Sequence, residues 1–402
     1  MSSPNVDLSR QVLVKFGKHA SATDVSVDAV TTYFVEPQTD PEITTDVQKL
    51  ERDLVRGDNE EYNLEVGPKD TAINLTLEVR GAKTAGGAGG SGDGVTAAYA
   101  TNTQIGSLLD VVCGVAGTNA AGDTTDGSDA GSGTTVTMDG SSALGANQAI
   151  LVKGTTSTKY EAREVISASS ADVTVCRALT NDDGGADTAL EAMVAYAASS
   201  WYLDADNANH THAWFDVEGS NWRRKLFGCM GNCTFEFPSG GIATASFNFT
   251  GTDWSDVAEA NPTFSEQRAY NPVVCIDSPF HIGATRYDLL ECSVDFGIQT
   301  QPKQSFDGAN GFEGYAVTRK QPVITAKLYY SDTLMNTLQA GTAQDVLAQF
   351  GRDAGSAIAF RMPAGAPRNA KRSITNGLET IDVEFVGSRP SAGDGALRIH
   401  LF

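Results

Sequence analysis

The sequence predicts a mainly β protein made of duplicated β-sandwich or barrel domains, each with a short helix, plus a small inserted β domain. Three observations point there. Apolar and polar residues alternate in run after run, as half-buried strands require. The 41 glycines, many beside Ser, Thr, Asp and Asn, punctuate those runs with turns. The same order of elements also occurs twice. With 402 residues the chain is too long for one ordinary core, and two or three domains are expected.

Taken in order, Ile73 to Arg80 is the clearest early strand, because it alternates without a break. Ile105, Leu108, Leu109 and Val112 follow at i, i+3, i+4 and i+7, which places four apolar side chains on one face of a short helix. From Val115 to Ser200 the composition turns small and acidic, with eleven acidic and four basic residues. This segment reads as a solvated β module with strands near 134–138, 149–152, 161–166 and 172–177. Gly117 to Gly133 reads as a loop. Thr234–Phe237 and Ala243–Thr250 flank the turn Pro238-Ser239-Gly240-Gly241 as a β-hairpin. Further strands are expected at 292–296, 323–330 and 378–386, with helical stretches at 334–338 and 343–350.

The repeat organises these elements. Gly241–Gly251 aligns with Gly377–Gly387, matching glycines at both ends, Thr244 with Thr380, and Phe249 with Phe385. Ile73–Val79 aligns likewise with Ile324–Tyr330. From Ile73 to Gly241 is 168 residues and from Ile324 to Gly377 is 53, and the excess of 115 is close to the length of the acidic module with its linkers. The expected division is therefore 1–114 and 201–260 for the first copy, 115–200 for the insertion, and 261–402 for the second copy.

Twenty-nine basic against fifty acidic residues give a net charge of −21, which argues against a duplex-binding surface. It suits solubility, and equally a wall along which nucleic acid slides without sticking. No apolar run is long enough to span a membrane, and Met1–Arg10 lacks the apolar core of a signal peptide, so assembly in a cytoplasm with reduced thiols is expected.

Catalytic and binding patterns are weak. His210-Thr211-His212, with Asp204 and Asp206 near, offers a metal pair without a third ligand at a recognised spacing, and an exposed loop is the better account. Cys229 and Cys233 form a C-x3-C pair that reads as buried small hydrophobes. Gly87–Gly92 matches G-x-G-x-x-G, but no helix opens at it, and a linker explains it. The carboxylates Asp182 and Asp183 lie in a glycine-rich loop with nothing to tune them. Trp201, Trp214, Trp222 and Trp254 would suit a sugar-stacking platform, or core anchoring, which is commoner on strands. No cofactor, metal site or catalytic residue is assigned, and the chain is expected not to be an enzyme.

The segment Lys225 to Phe237, with Gly228, Gly231 and Thr234 spaced as gly-x-x-gly-x-x-thr, leads through a Pro/Gly turn into the glycine-bounded strand Gly240–Gly251. In that arrangement it resembles the tail tube (major tail) proteins of long-tailed bacteriophages. Phe34 to Asp40, the polar stretch and strand up to Gly81, and the acidic insertion are similar to that family too; the apparent duplication departs from its single-copy members. The resemblance implies two packed sheets with a helix, subunits joining strands sideways into a ring, and rings stacking into a hollow, negatively charged conduit for DNA delivery. It implies a homo-oligomer with other tail proteins as neighbours, passing DNA without specific binding, and located in the virion tail. The duplication favours a pseudo-sixfold trimer over a hexamer. Glu78, Asp382 and Glu384, with Asn74 and Thr76, are the candidate lumen-facing residues. The polar stretches Asp40–Pro68 and Gln299–Tyr315 are candidates for contact with the next ring. A related tail-tip or baseplate ring protein and a carbohydrate-binding adhesin are the alternatives.

Overall fold

The computed structural model describes residues 12–19, 33–50, 65–81, 104–119, 123–124, 133–138, 144–154, 159–178, 194–206, 209–219, 222–257, 272–306, 311–353, 355–389 and 395–402. The loop at 86–94 with its G-x-G-x-x-G pattern, most of Gly117–Gly133 and the Asp182-Asp183 pair lie outside them.

The protein is mainly β, with antiparallel sheets and two short helices among the described residues. The first part contains β1 (Leu13–His19), β2 (Tyr33–Val35), β3 (Glu42–Leu50), β4 (Glu65–Glu78) and α1 (Gln104–Cys113). A neck strand β5 (Thr118–Asn119) leads to β6 (Asp123–Thr124), β7 (Thr135–Thr137), β8 (Ala149–Val152), β9 (Glu161–Ser169), β10 (Asp172–Val175) and β11 (Val194–Ala197). The chain returns through β12 (Ser199–Tyr202), β13 (His212–Glu218), β14 (Arg223–Pro238), β15 (Thr244–Gly251) and β16 (Asp253–Val257). The remainder holds β17 (Phe280–Ile282), β18 (Thr285–Tyr287), β19 (Leu289–Asp295), β20 (Ile298–Gln304), β21 (Phe312–Lys320) and β22 (Val323–Tyr329). Then come α2 (Asp332–Gln339), β23 (Gln344–Phe350), β24 (Ile358–Thr375), β25 (Leu378–Gly387) and β26 (Arg398–Leu401).

Seven strand pairings of the first part recur in the last. β1 pairs with β2 and β13, and β17 with β18 and β23. β3·β4, β4·β15, β13·β14, β14·β15 and β14·β16 have their counterparts in β19·β22, β22·β25, β23·β24, β24·β25 and β24·β26. The registers also agree: Thr244 lies opposite Glu78 and Thr380 opposite Tyr329, the positions that the sequence alignment of the two segments superimposes.

The two groups are joined directly, strand to strand, by β14·β19. The result is one antiparallel run, β3-β4-β15-β14-β19-β22-β25-β24, across the molecule. Alternation gives it one apolar face. Ile73, Leu75 and Leu77 on β4, Phe247 and Phe249 on β15, Val294 on β19, Ile324 on β22 and Val383 and Phe385 on β25 all lie in one continuous core. Helix α1 closes part of that core with Ile105, Leu108, Leu109 and Val112, the four residues whose spacing predicts it, all buried.

Gly228, at φ 62°, stands where β14 leaves its β16 partner and begins to pair with β15, a turn of the backbone that a side chain would strain. Phe237, at the far end of β14, stacks on Phe350 of β23 at a centroid distance of 3.6 Å, which ties the joint to the second group's core.

Two expectations are corrected. The stretch 343–350 is strand β23, not a helix. Its apolar residues have helical spacing, but Gly341 (φ 69°) ends α2, and the chain beyond is buried between β17 and β24 as a strand. The polar stretches that are candidates for contact with the next ring lie partly in the hairpins β3–β4 and β20–β21. The insertion has its own six-stranded sheet and small core of Val136, Ile150, Val165 and Val173, but it is docked rather than simply solvated. Ala149, Leu151 and Ala162 pack against Ala357, Ala359 and Phe402, and Gln349 reaches across to β9 by accepting from the Ala162 N–H at 2.7 Å.

Candidate assembly surface

The other face of the long sheet is polar. β4 presents Asn74, Thr76 and Glu78 there, β15 presents Thr244, Ser246 and Asn248, and β25 presents Asp382 and Glu384. The structure thus brings Glu78, Asp382 and Glu384, which are more than 300 residues apart in places, onto one surface. The side chains of Asp382 and Glu384 are 43% and 33% exposed, and that of Glu78 is 29% exposed. Each has a cationic neighbour. Glu384 receives two hydrogen bonds from Arg368, at 3.0 and 2.9 Å; Lys327 lies 4.0 Å from Asp382; Arg80 bonds Glu78 at 3.2 Å. Glu42, Asp46, Glu236, Glu291 and Asp295 lie on the same face, so it stays acidic despite Lys327, Arg368 and Lys371.

This sheet ends at two edges. Among the described residues, β3 pairs only with β4. The outer half of β24, residues 366–375, pairs among the described residues only with β25, whereas its inner half lies between β23 and β26. The same position on β14 is filled, because its outer half pairs with both β15 and β19. Long unpaired edges are templates for another strand. Their charges are opposite where they matter: Asp40 precedes Glu42 and Asp46 of β3, whose Lys49 lies at the far end, and residues 366–375 of β24 carry Arg368, Lys371 and Arg372. Sequence reasoning missed these edge residues, because charge along a strand gains meaning only when the strand is known to be terminal.

A second polar cluster is buried where the insertion meets the second group. Glu164 of β9 accepts hydrogen bonds from Arg361 at 2.5 Å and from Arg398, and lies 3.2 Å from His400 Nε2. Burial alone would raise its carboxyl, but the His400 hydrogen bond and the charges of His400, Arg361 and Arg398 outweigh that and lower it to about 2. Glu161 is paired with Arg163 and, at 3.5 Å, with Arg352. These ions are paired, although Arg398 Nε has no hydrogen-bond partner among the described residues, and the pairing makes the cluster a clamp holding the module.

The remaining candidates give no site. His210 is buried rather than on an exposed loop, accepts from Lys320 at 3.0 Å, and is lowered to about 4 by burial and by that lysine. His212 begins β13 and donates through Nε2 to the Tyr315 carbonyl at 3.2 Å. No group of residues suited to a metal occurs among the described residues. Cys229 and Cys233 are buried free thiols, both pushed up by burial. The tryptophans form no platform: Trp201 and Trp214 are buried, and Trp254 lies under Lys69 and Arg224. Among the described residues, no helix is long and apolar enough to cross a membrane. The chain matches neither the protein-family models nor the curated proteins with which it was compared.

Proposed function

We propose that this protein is a structural subunit of the tail tube of a long-tailed bacteriophage, assembling into stacked rings that form a hollow, acidic conduit for DNA. The observation that carries this reading is the β14·β19 joint. Two groups of strands with matching pairings are fused edge to edge within one chain, and among the described residues edges of the same two kinds stay unpaired at the ends. A surface that joins to its own like, and whose rotation closes, gives a ring.

The acidic face supports the role of the wall. Glu78, Asp382 and Glu384 lie on the face opposite the core, where carboxylates repel phosphates and offer passing DNA nothing to bind. Because one chain carries two strand groups, a trimer would present pseudo-sixfold symmetry, the arrangement favoured over a hexamer. The docked insertion would decorate the outside. Other tail proteins would be its neighbours in the virion, after assembly in the host bacterial cytoplasm.

Electron microscopy of the purified protein tests this. Hollow polymers with three outer knobs per ring are the expected result. Small particles that form no ring at any concentration would remove the tube reading and return attention to an adhesin.

A further inference from the structure

We infer that residues 366–375 of β24 pair with β3 of a second copy of this chain, in the register set by the β14·β19 joint, so that Arg368 and Lys371 face Glu42 and Asp46 of that copy. This deepens the ring reading above and rests on it.

The register follows from positions already paired. Glu236 lies opposite Thr244, and Ser373 lies opposite Thr380. Thr244 and Thr380 hold matching places, so Glu236 and Ser373 do too. On the other side, Glu42 lies opposite Asn74 and Ser293 opposite Thr325, while Asn74 and Thr325 lie opposite Asn248 and Glu384 respectively. Asn248 and Glu384 match in the repeat, which makes Glu42 the counterpart of Ser293. In the internal joint Glu236 pairs with Ser293. The corresponding pair between copies is therefore Ser373 with Glu42, the same two residue types exchanged across the joint. Lys371 then meets Thr44, Ile374 meets Pro41, and Thr375 meets Asp40.

Two further observations favour this partner. The first is charge. In this register Lys371 has Glu42 and Asp46 as its diagonal neighbours on one face, within reach of a long side chain. Past the bulge between Arg368 and Lys371, Arg368 falls on that face toward Asp46. Lys371, Asp40, Glu42 and Asp46 have no ion-pair partner among the described residues. The second is burial. Phe237 is 3% exposed in the internal joint, whereas Ile374, which holds the matching place on the free edge, is 73% exposed. An apolar side chain standing in water at the position that is buried in the finished joint marks a contact still to be made. Pro41 and Ile43 of the second copy would cover it.

Cysteine pairs and charge exchange test the inference on the full chain. The S373C/E42C variant is expected to form a ladder of disulfide-linked oligomers on mild oxidation. The wild type and the register-shifted S373C/T44C variant are expected not to. Reversing one edge with R368E/K371E should raise the concentration needed for assembly by about tenfold or more, and adding E42K/D46K in the same chain should restore most of it. Polymers that cross-link only through the shifted pair, or that ignore both charge reversals, would overturn this joint and leave the tube reading standing. A wild-type protein that never polymerises would overturn both.

Discussion

The joint between β14 and β19 and the bare edge of β24 are nearly the same structure with and without a neighbour. Each outer strand half carries a hairpin partner on one side, β15 or β25. On the other side β14 has β19, and Asn232 donates across it to Asp295 at 2.7 Å. On β24 no described strand lies on that side, and in place of the buried Phe237 stands the exposed Ile374. On the proposed reading, the difference separates what holds one subunit together from what would join subunits. Inside the chain the core side of the joint buries Phe235 and Phe237; at the two edges the proposed joint would instead be marked by opposite charges, which would disfavour random pairing and set the register.

Substitutions at matching places should therefore have unlike effects. Phe237→Ala removes a ring stacked on Phe350 and should cost about 4 kcal/mol of stability by chemical denaturation. Ile374→Ala should change monomer stability by no more than about 0.5 kcal/mol while weakening assembly. Equal losses of stability at the two sites would mean that the edge is not waiting for a partner.

The charged residues sharpen the same contrast. Glu164→Gln in the buried clamp leaves Arg361 and Arg398 short of a counter-charge and should cost about 3 kcal/mol, measured by thermal or urea unfolding. Acidification should act on the buried interior as well. His210 is lowered to about 4 by burial and by Lys320, and His281 to about 2 by burial beside Arg163 and Arg177. Both stay neutral in the fold, whereas the unfolded chain binds their protons near pH 6.5. Stability is thus full above about pH 6.5 and lost as pH falls toward each folded value, on the order of 2 kcal/mol per histidine by pH 5. Glu164, also depressed, adds its loss only below its ordinary value of 4.5 as the pH approaches 2. A melting temperature that is flat from pH 7 to pH 5 would contradict the histidine assignment.

The smallest effect on folding is expected at the polar face. Asp382→Lys with Glu384→Lys should leave the fold and its melting temperature little changed, because both side chains reach the surface and their ion pairs with Lys327 and Arg368 are screened by water. In assembled particles the same pair should slow DNA delivery. Unchanged delivery would remove the electrostatic role of those two residues.

The strands were legible in the sequence where one face meets a core and the other meets water, as in Ile73–Val79, because period-2 alternation records that geometry directly. Strand β23 was not: it is buried on both sides, and Val346, Leu347 and Phe350 fall at a spacing that a helix would share. The lumen candidates were legible as the polar half of alternating strands, and their common surface follows from the shared register. The edge charges were not, since nothing along the chain distinguishes an outer strand such as β3 from an inner one such as β4. The clamp was hidden for another reason. Glu164 and its partners Arg361 and Arg398 are separated by 197 and 234 residues, so no local spacing joins them.

The central claim is that the sheet continues from one copy to the next. Its most direct test is a density map of the assembled polymer at a resolution that traces strands. The account predicts β3 of the adjacent copy antiparallel to residues 366–375, with Glu42 opposite Ser373. A polymer in which that edge faces solvent, or is covered by any other segment, would contradict it.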